Sequence, residues 1–256
     1  MNTMQNIYYK RQKHLVCFLV ILLTVMVTGC SKDKFYSSLG IRPGTAETAE
    51  SLALKGLDYY KRGKYEKAKK SFESVLNQYP FSEYSLLAEL KTADSNYFLK
   101  NYEEALLQYK DFEEHHPTNE AIPYVMFQMG MCYYNQIDKI DRDTSPANNT
   151  IYAFSRLLRA FPNSPYTEEA RSRIKAAQNF LANHEFYVAS FYERTYAYEE
   201  AKGRLEYLLR QYPDSNIAPR AEKLLNDLKN DNPPGRTLFG WLPKSLPDWE
   251  KTDQVK

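Results

Sequence analysis

The stretch LALKGLDYYKRGKYEKAKKSFESVLNQYP, residues 52–80, decides the fold. Apolar and small residues recur at helical spacing in both halves, and the polar run Lys61-Arg62-Gly63-Lys64 separates them. Gly56 in the first half and Ala68 in the second are small enough for two antiparallel helices to approach closely. Phe72 follows Ala68 by one helical turn, lies on the same face and fills the next layer. Tyr79-Pro80 ends the unit, because proline lacks an amide proton and clashes with the preceding turn. The stretch therefore encodes a helical hairpin with a stop.

Outward from it, the pattern repeats. Leu52, Gly56, Tyr59, Ala68, Phe72, Val75 and Pro80 find counterparts 37 residues on in Ala93, Ala105, Tyr109, Phe112 and Pro117. Gly130, Phe154, Leu157 and Pro162 form a third set, and Ala189, Tyr192, Ala201, Leu205, Leu208 and Pro213 a fourth. The arrangement resembles the tetratricopeptide repeat. The expected fold is all-α: a tetratricopeptide-like superhelix of stacked helical hairpins, about four and a half repeats, with a non-helical Pro/Trp tail. Helices are expected near 49–62, 65–78, 83–99, 102–115, 121–135, 148–160, 165–194, 198–211 and 216–230. Residues 136–147 insert a polar loop into the third unit, whereas 165–194 has no break and reads as one long helix. Ser82 after Pro80, and Ser164 before Pro165, read as helix starts. A stack of this kind offers a concave surface to extended peptides or partner helices.

The first residues are a processing signal. Lys10, Arg11 and Lys13 precede an apolar run, Leu15 to Val27, of 13 residues, too short for the roughly 20 that span a bilayer as a helix. It ends in Val27-Thr28-Gly29-Cys30, which resembles a bacterial lipobox with Cys30 as the lipid attachment residue. Two or three acyl chains anchor stably where one is marginal. Ser31, rather than an aspartate, follows Cys30, which by resemblance to sorting in enteric bacteria favours the outer membrane. The expected organisation is signal peptide 1–29, lipidated linker 30–48, helical domain 49–230 and tail 231–256.

Losing residues 1–29 removes three of 34 basic residues and leaves 31 against 32 acidic ones. No concentrated basic surface for nucleic acid follows from that balance. With Cys17 in the signal and Cys30 lipidated, Cys132 is a lone thiol on an apolar helix face, so no disulfide framework exists. The 22 tyrosines and 13 phenylalanines against 9 glycines fit helix grooves filled by rings. Tyr59, Tyr97, Tyr109 and Tyr133 fall on repeat positions and read as core.

Catalytic residues and metal ligands are not legible: His115-His116 sits at a helix end, His184 stands alone mid-helix, and neither has ligand spacing. Asp141-Arg142-Asp143 reads as a solvated loop capping the next helix. The lysines around 61–70 alternate with Glu66 and Glu73 as a solvated face does. Tyr79-Pro80-Phe81-Ser82-Glu83-Tyr84-Ser85 packs three rings into an inter-repeat turn, as binding surface or as packing. The tail carries both tryptophans and several prolines, with Phe239, Trp241 and Trp249 as possible docking residues. It can fold back on the last helix, serve as a docking strip or remain disordered.

Several strings together resemble the BamD (ComL-type) family of lipoproteins of the outer-membrane β-barrel assembly machinery. They are Tyr79 to Ser85, Tyr124-Val125-Met126-Phe127, Asp141-Arg142-Asp143, Phe161 to Thr167, Ala182 to Ala189 and Tyr192-Glu193-Arg194. The resemblance implies an outer-membrane lipoprotein on the periplasmic face that is no enzyme and needs no cofactor beyond its lipid. Its partners would be a BamA-like barrel insertase, other assembly lipoproteins and unfolded outer-membrane protein precursors. By position, Tyr79, Phe81 and Tyr84 would belong to a pocket near the first two repeats, and Arg194 to the partner-facing side. An arginine suits a bidentate carboxylate pair there; the plainer reading is a helix-end cation. The chain departs from the family pattern at its end: the fifth repeat reads as truncated after its first helix, near residue 230, and the Pro/Trp tail departs from the pattern as well. The alternative function is a tetratricopeptide lipoprotein scaffold for polysaccharide export or cell-wall coordination.

Overall fold

A computed structural model describes residues 47–231 and residue 234; the signal, most of the linker and the tail lie outside the described residues. Within them the secondary structure is helical throughout: α1 (Ala49–Lys61), α2 (Tyr65–Gln78), α3 (Ser85–Phe98), α4 (Tyr102–His115), α5 (Ile122–Tyr134), α6 (Ser145–Ala160), α7 (Thr167–Arg194), α8 (Tyr198–Gln211) and α9 (Ala218–Lys229). Thr48 opens α1, its Oγ1 accepting the Ser51 N–H at 3.2 Å. From Leu52 to Asp231 the chain is one compact unit, in which consecutive helices pack as antiparallel hairpins.

Three hairpins are closed by one device. Gly63, Lys100 and Tyr196 adopt left-handed φ of 69°, 64° and 65°, each two residues past the first helix of its repeat. The next N–H then reaches back to the last turn of that helix: Lys64 to the Tyr59 carbonyl, Asn101 to Asn96 and Ala197 to Tyr192, at 2.9, 2.9 and 3.0 Å. This is the Schellman arrangement, for which glycine is best suited and which Gly63 alone meets without strain.

Links between repeats are equally uniform. Tyr79, His116, Phe161 and Tyr212 end their helices at φ near −130°, and each carbonyl accepts the N–H three residues on, from Ser82, Asn119, Ser164 and Ser215. A second turn follows immediately, from those residues to Ser85, Ile122, Thr167 and Ala218. Hence Ser82 and Ser164 are turn residues and not helix starts. The N-cap positions are Tyr84 and Tyr166, without side-chain caps, and α7 begins at Thr167 rather than Pro165. Ser164 Oγ instead accepts the Tyr166 N–H at 3.3 Å. By contrast α6 starts earlier than expected, at Ser145, since Pro146 fits a first turn and Asp143 Oδ1 accepts the Ser145 N–H at 2.9 Å. That bond holds the Asp143 carboxyl below its usual range.

The small residues do what their spacing predicts. A methyl at Gly56 would lie 2.6 Å from the Phe72 ring, and one at Gly130 would lie 2.5 Å from Phe154. The helix-two partner of Gly130 is the buried Thr150, standing where the other repeats have Ala68, Ala105 and Ala201, with its hydroxyl donating to the Pro146 carbonyl at 2.8 Å. The insertion is pinned to α7 by His184, whose Nδ1 lies 2.6 Å from the Ile140 carbonyl. Cys132 is buried in the central cluster with Phe154 and Leu157.

Candidate functional site

The inter-repeat turn Tyr79–Ser82 differs from its three equivalents at one position. Phe81 occupies the place of Thr118, Asn163 and Asp214, and it is 100% exposed. Nothing in the turn's hydrogen bonding asks for a ring there, since the three polar versions close identically. Tyr79 and Tyr84 behave differently: both are half-buried and pack on the core around Phe72 and Ala88. Of the three proposed pocket residues, then, one is presented outward and two also support the fold.

Arg194 lies far along the chain from these rings, exposed in the last turn of α7, where a cation complements the helix dipole. It does not join Tyr79, Phe81 and Tyr84 in one site; they sit at a turn between repeats, and it sits at a turn within one. Around it the structure shows aromatics that sequence reasoning passed over: Phe191 is 52% and Tyr196 62% exposed, and Tyr207 on α8 is also partly open. Tyr196 is the more telling, because an aromatic holds a left-handed turn that Gly63 fills in the first repeat. Of these aromatics Tyr207 lines a groove of about 540 Å³, with Glu185, Tyr192, Gly203, Arg204 and Arg210 among its other walls. Arg204 meets Glu185 across it at 3.2 Å, and Gly203 leaves it open, with no atom within 4 Å of an added methyl.

The interior holds a polar centre that sequence also missed. Asp94 on α3 is fully buried, yet its carboxylate accepts from Tyr109 at 2.7 Å, Tyr124 at 2.8 Å and Tyr60 at 3.4 Å, and pairs with Lys91 at 2.7 Å. These partners come from α1, α3, α4 and α5. Burial first and the Asp94 charge second push all three phenols well above their ordinary range. With both of its oxygens partnered, the Asp94 carboxylate ties these four helices together. Among the described residues no group of His, Cys, Asp and Glu could hold a metal ion. His116 lies 2.8 Å from Glu89 as a surface pair.

A family model described as "YfiO: Outer membrane lipoprotein" matches residues 45–231, all of the described helices. The chain belongs to the YfiO family. Relatives include an outer membrane protein assembly factor BamD from Pasteurella multocida, 28% identical over 226 residues that cover 84% of each chain. Another from Vibrio cholerae is 31% identical over 159 residues, 58% of this chain and 66% of that one. A solved tetratricopeptide-repeat protein of Thermus thermophilus aligns over 69% of this chain and 98% of its own, at 17% identity and a TM-score of 0.39. A likeness that loose leaves the repeat assignment to the chain's own hairpins. The family match stops at Asp231, so the tail lies outside it. Cys30, Phe239, Trp241 and Trp249 also lie outside the described residues. Among those described, no helix is long and apolar enough to cross a membrane.

Proposed function

We propose that the chain is a scaffold for assembling outer-membrane proteins, anchored by lipid on Cys30 at the periplasmic face of the outer membrane. Its carboxy-terminal repeats, with Arg194, hold a BamA-like barrel insertase beside other assembly lipoproteins. Its amino-terminal repeats, with Phe81, Tyr79 and Tyr84, receive unfolded precursors. The observation that carries this reading is the family match, joined to relatives named as assembly factors. The turn geometry supports the placement of the client site, since a lone exposed phenylalanine among polar equivalents suits an apolar client better than it suits folding. An exposed aromatic and arginine surface on the last repeats is the composition that interface hot spots favour.

The test is mild solubilisation, purification through a tag after Lys256 and mass spectrometry. An insertase should co-purify in near-equal amount and be lost from Arg194→Ala. Capture of an unfolded barrel precursor should weaken several-fold in Phe81→Ala while the thermal midpoint stays put, because a fully exposed side chain carries little stability. Recovery of export or cell-wall proteins without an insertase would overturn the reading.

A further inference from the structure

The length of α7 opens a groove in the side of the stack. This helix has 28 residues where α1, α3 and α5 have 13 or 14. Its close-approach residue, Ala189, comes 22 residues after the helix begins, against seven or eight for Gly56, Ala93 and Gly130. About four extra turns therefore precede the fourth hairpin. One side of them is used by the fold: Ala170 joins the central core with Phe154 and Leu157, and Ala177 and Leu181 pack with Ala147. Along another side runs the link 211–215 between α8 and α9, its Tyr212 half-buried against two of the core clusters. Between helix and link lies a groove of about 580 Å³, with Arg171, Ile174, Lys175, Gln178 and Asn179 on the helix side.

Arg171 and Lys175 are both exposed and stand one turn apart. Arg171 pairs with Glu168 at 3.8 Å, but both side chains are open to solvent and such a pair contributes little. Against the two cations the groove sets one acid, Asp214 on the link. Gln178 and Gln211 add exposed amides, and Asn179 is oriented by accepting the Asn216 N–H through Oδ1 at 3.0 Å. Leu158, Ile174 and Tyr212 supply a half-buried apolar floor.

We propose that this groove binds an extended segment of a partner protein carrying two acidic residues separated by one apolar residue. The two cations lie about 6 Å apart along the helix. Side chains i and i+2 of an extended strand leave the same face about 6.6 Å apart, so each carboxylate meets a cation. The residue between them turns toward Tyr212 and Pro213, and the amides suit the strand's N–H and C=O groups. The arginine fork can hold its carboxylate through two hydrogen bonds. Neither Phe81 nor Arg194 takes part, so the groove is a third surface beyond the two of the proposed function.

The test is fluorescence anisotropy with the full chain in mild detergent at low salt. The probe is an amidated, fluorescein-labelled octapeptide with Glu-Leu-Glu set among serines and glycines. Its affinity should fall at least tenfold in the double change Arg171→Gln, Lys175→Gln, with circular dichroism unchanged because both side chains are exposed. Phe81→Ala should leave it unmoved, so loss of client capture and loss of this site are told apart. A peptide with Gln-Leu-Gln should not bind, and one reordered to Leu-Glu-Glu should bind several-fold more weakly. The proposal is overturned by no binding at millimolar peptide, by equal binding of the reordered peptide, or by binding that survives the double change. It is also overturned by equally strong competition from inorganic phosphate, which would make this a site for a bare anion. Competition from anionic phospholipid added to the micelles would overturn it too, as a membrane contact.

Discussion

Asp94 is the residue whose loss should be felt most. Removing its carboxylate leaves three phenols and Lys91 without their shared acceptor inside the stack, so Asp94→Ala should cost about 3 kcal/mol in urea unfolding. Asp94→Asn should cost less, because an amide oxygen still accepts while its NH2 faces donors. Gly130→Ala should lose about 1–3 kcal/mol through collision with Phe154, and the double change with Phe154→Leu should recover part of it. Gly203→Ala is the contrast: open space in a helix predicts a gain of about 0.5–1 kcal/mol. Gly56, Gly130 and their rings were legible from spacing alone. Asp94 was not, since its three phenol partners lie 15 to 34 residues away and carry no periodic signature. Its own helix buries Thr92, Asp94, Ser95 and Asn96, a polar stretch that hydrophobic patterning reads as surface.

At the level of elements, the helices were readable because each turn type recurs and proline marks the exit from the second helix of each complete repeat. What was misread lay at the entries. Ser164-Pro165 has the composition of a capped start, but the link needs two successive turns before α7 can begin, and both residues are consumed in them. Thr150 hid the third repeat's close-approach position because a hydroxyl stands for a methyl there. Phe81 was legible as excess aromaticity; that it alone projects outward became visible only when four turns of identical bonding could be compared. The hairpin turns give a further prediction. Lys100 holds a left-handed φ of 64° that Gly63 shows to be a glycine position, so Lys100→Gly should raise the thermal midpoint by a few degrees, worth about 0.5–1 kcal/mol.

For the whole molecule, alkali is the informative stress. Burial pushes the Cys132 thiol up to about 12, and Tyr60, Tyr109 and Tyr124 are raised further. The folded chain keeps protons that the unfolded chain would release. Their contribution is therefore complete below the unfolded thiol value of about 8.5 and is lost as pH climbs toward the folded values, the tyrosines joining above about 10. Urea midpoints should fall steeply from pH 9 to pH 11, by up to about 1.4 kcal/mol per pH unit for each group, and a flat profile would refute the buried cluster. Repeat stacks ordinarily melt as nearest-neighbour chains, fraying inward from either end. Here one carboxylate accepts hydrogen bonds from helices of three successive repeats, which welds the amino-terminal half into a single cooperative block. Amide hydrogen exchange should accordingly be graded through α8 and α9, then uniformly slow from α5 back to α1. On the proposed function, a client at Phe81 would meet a surface that does not breathe, while the carboxy-terminal repeats would keep the freedom to adapt to an insertase.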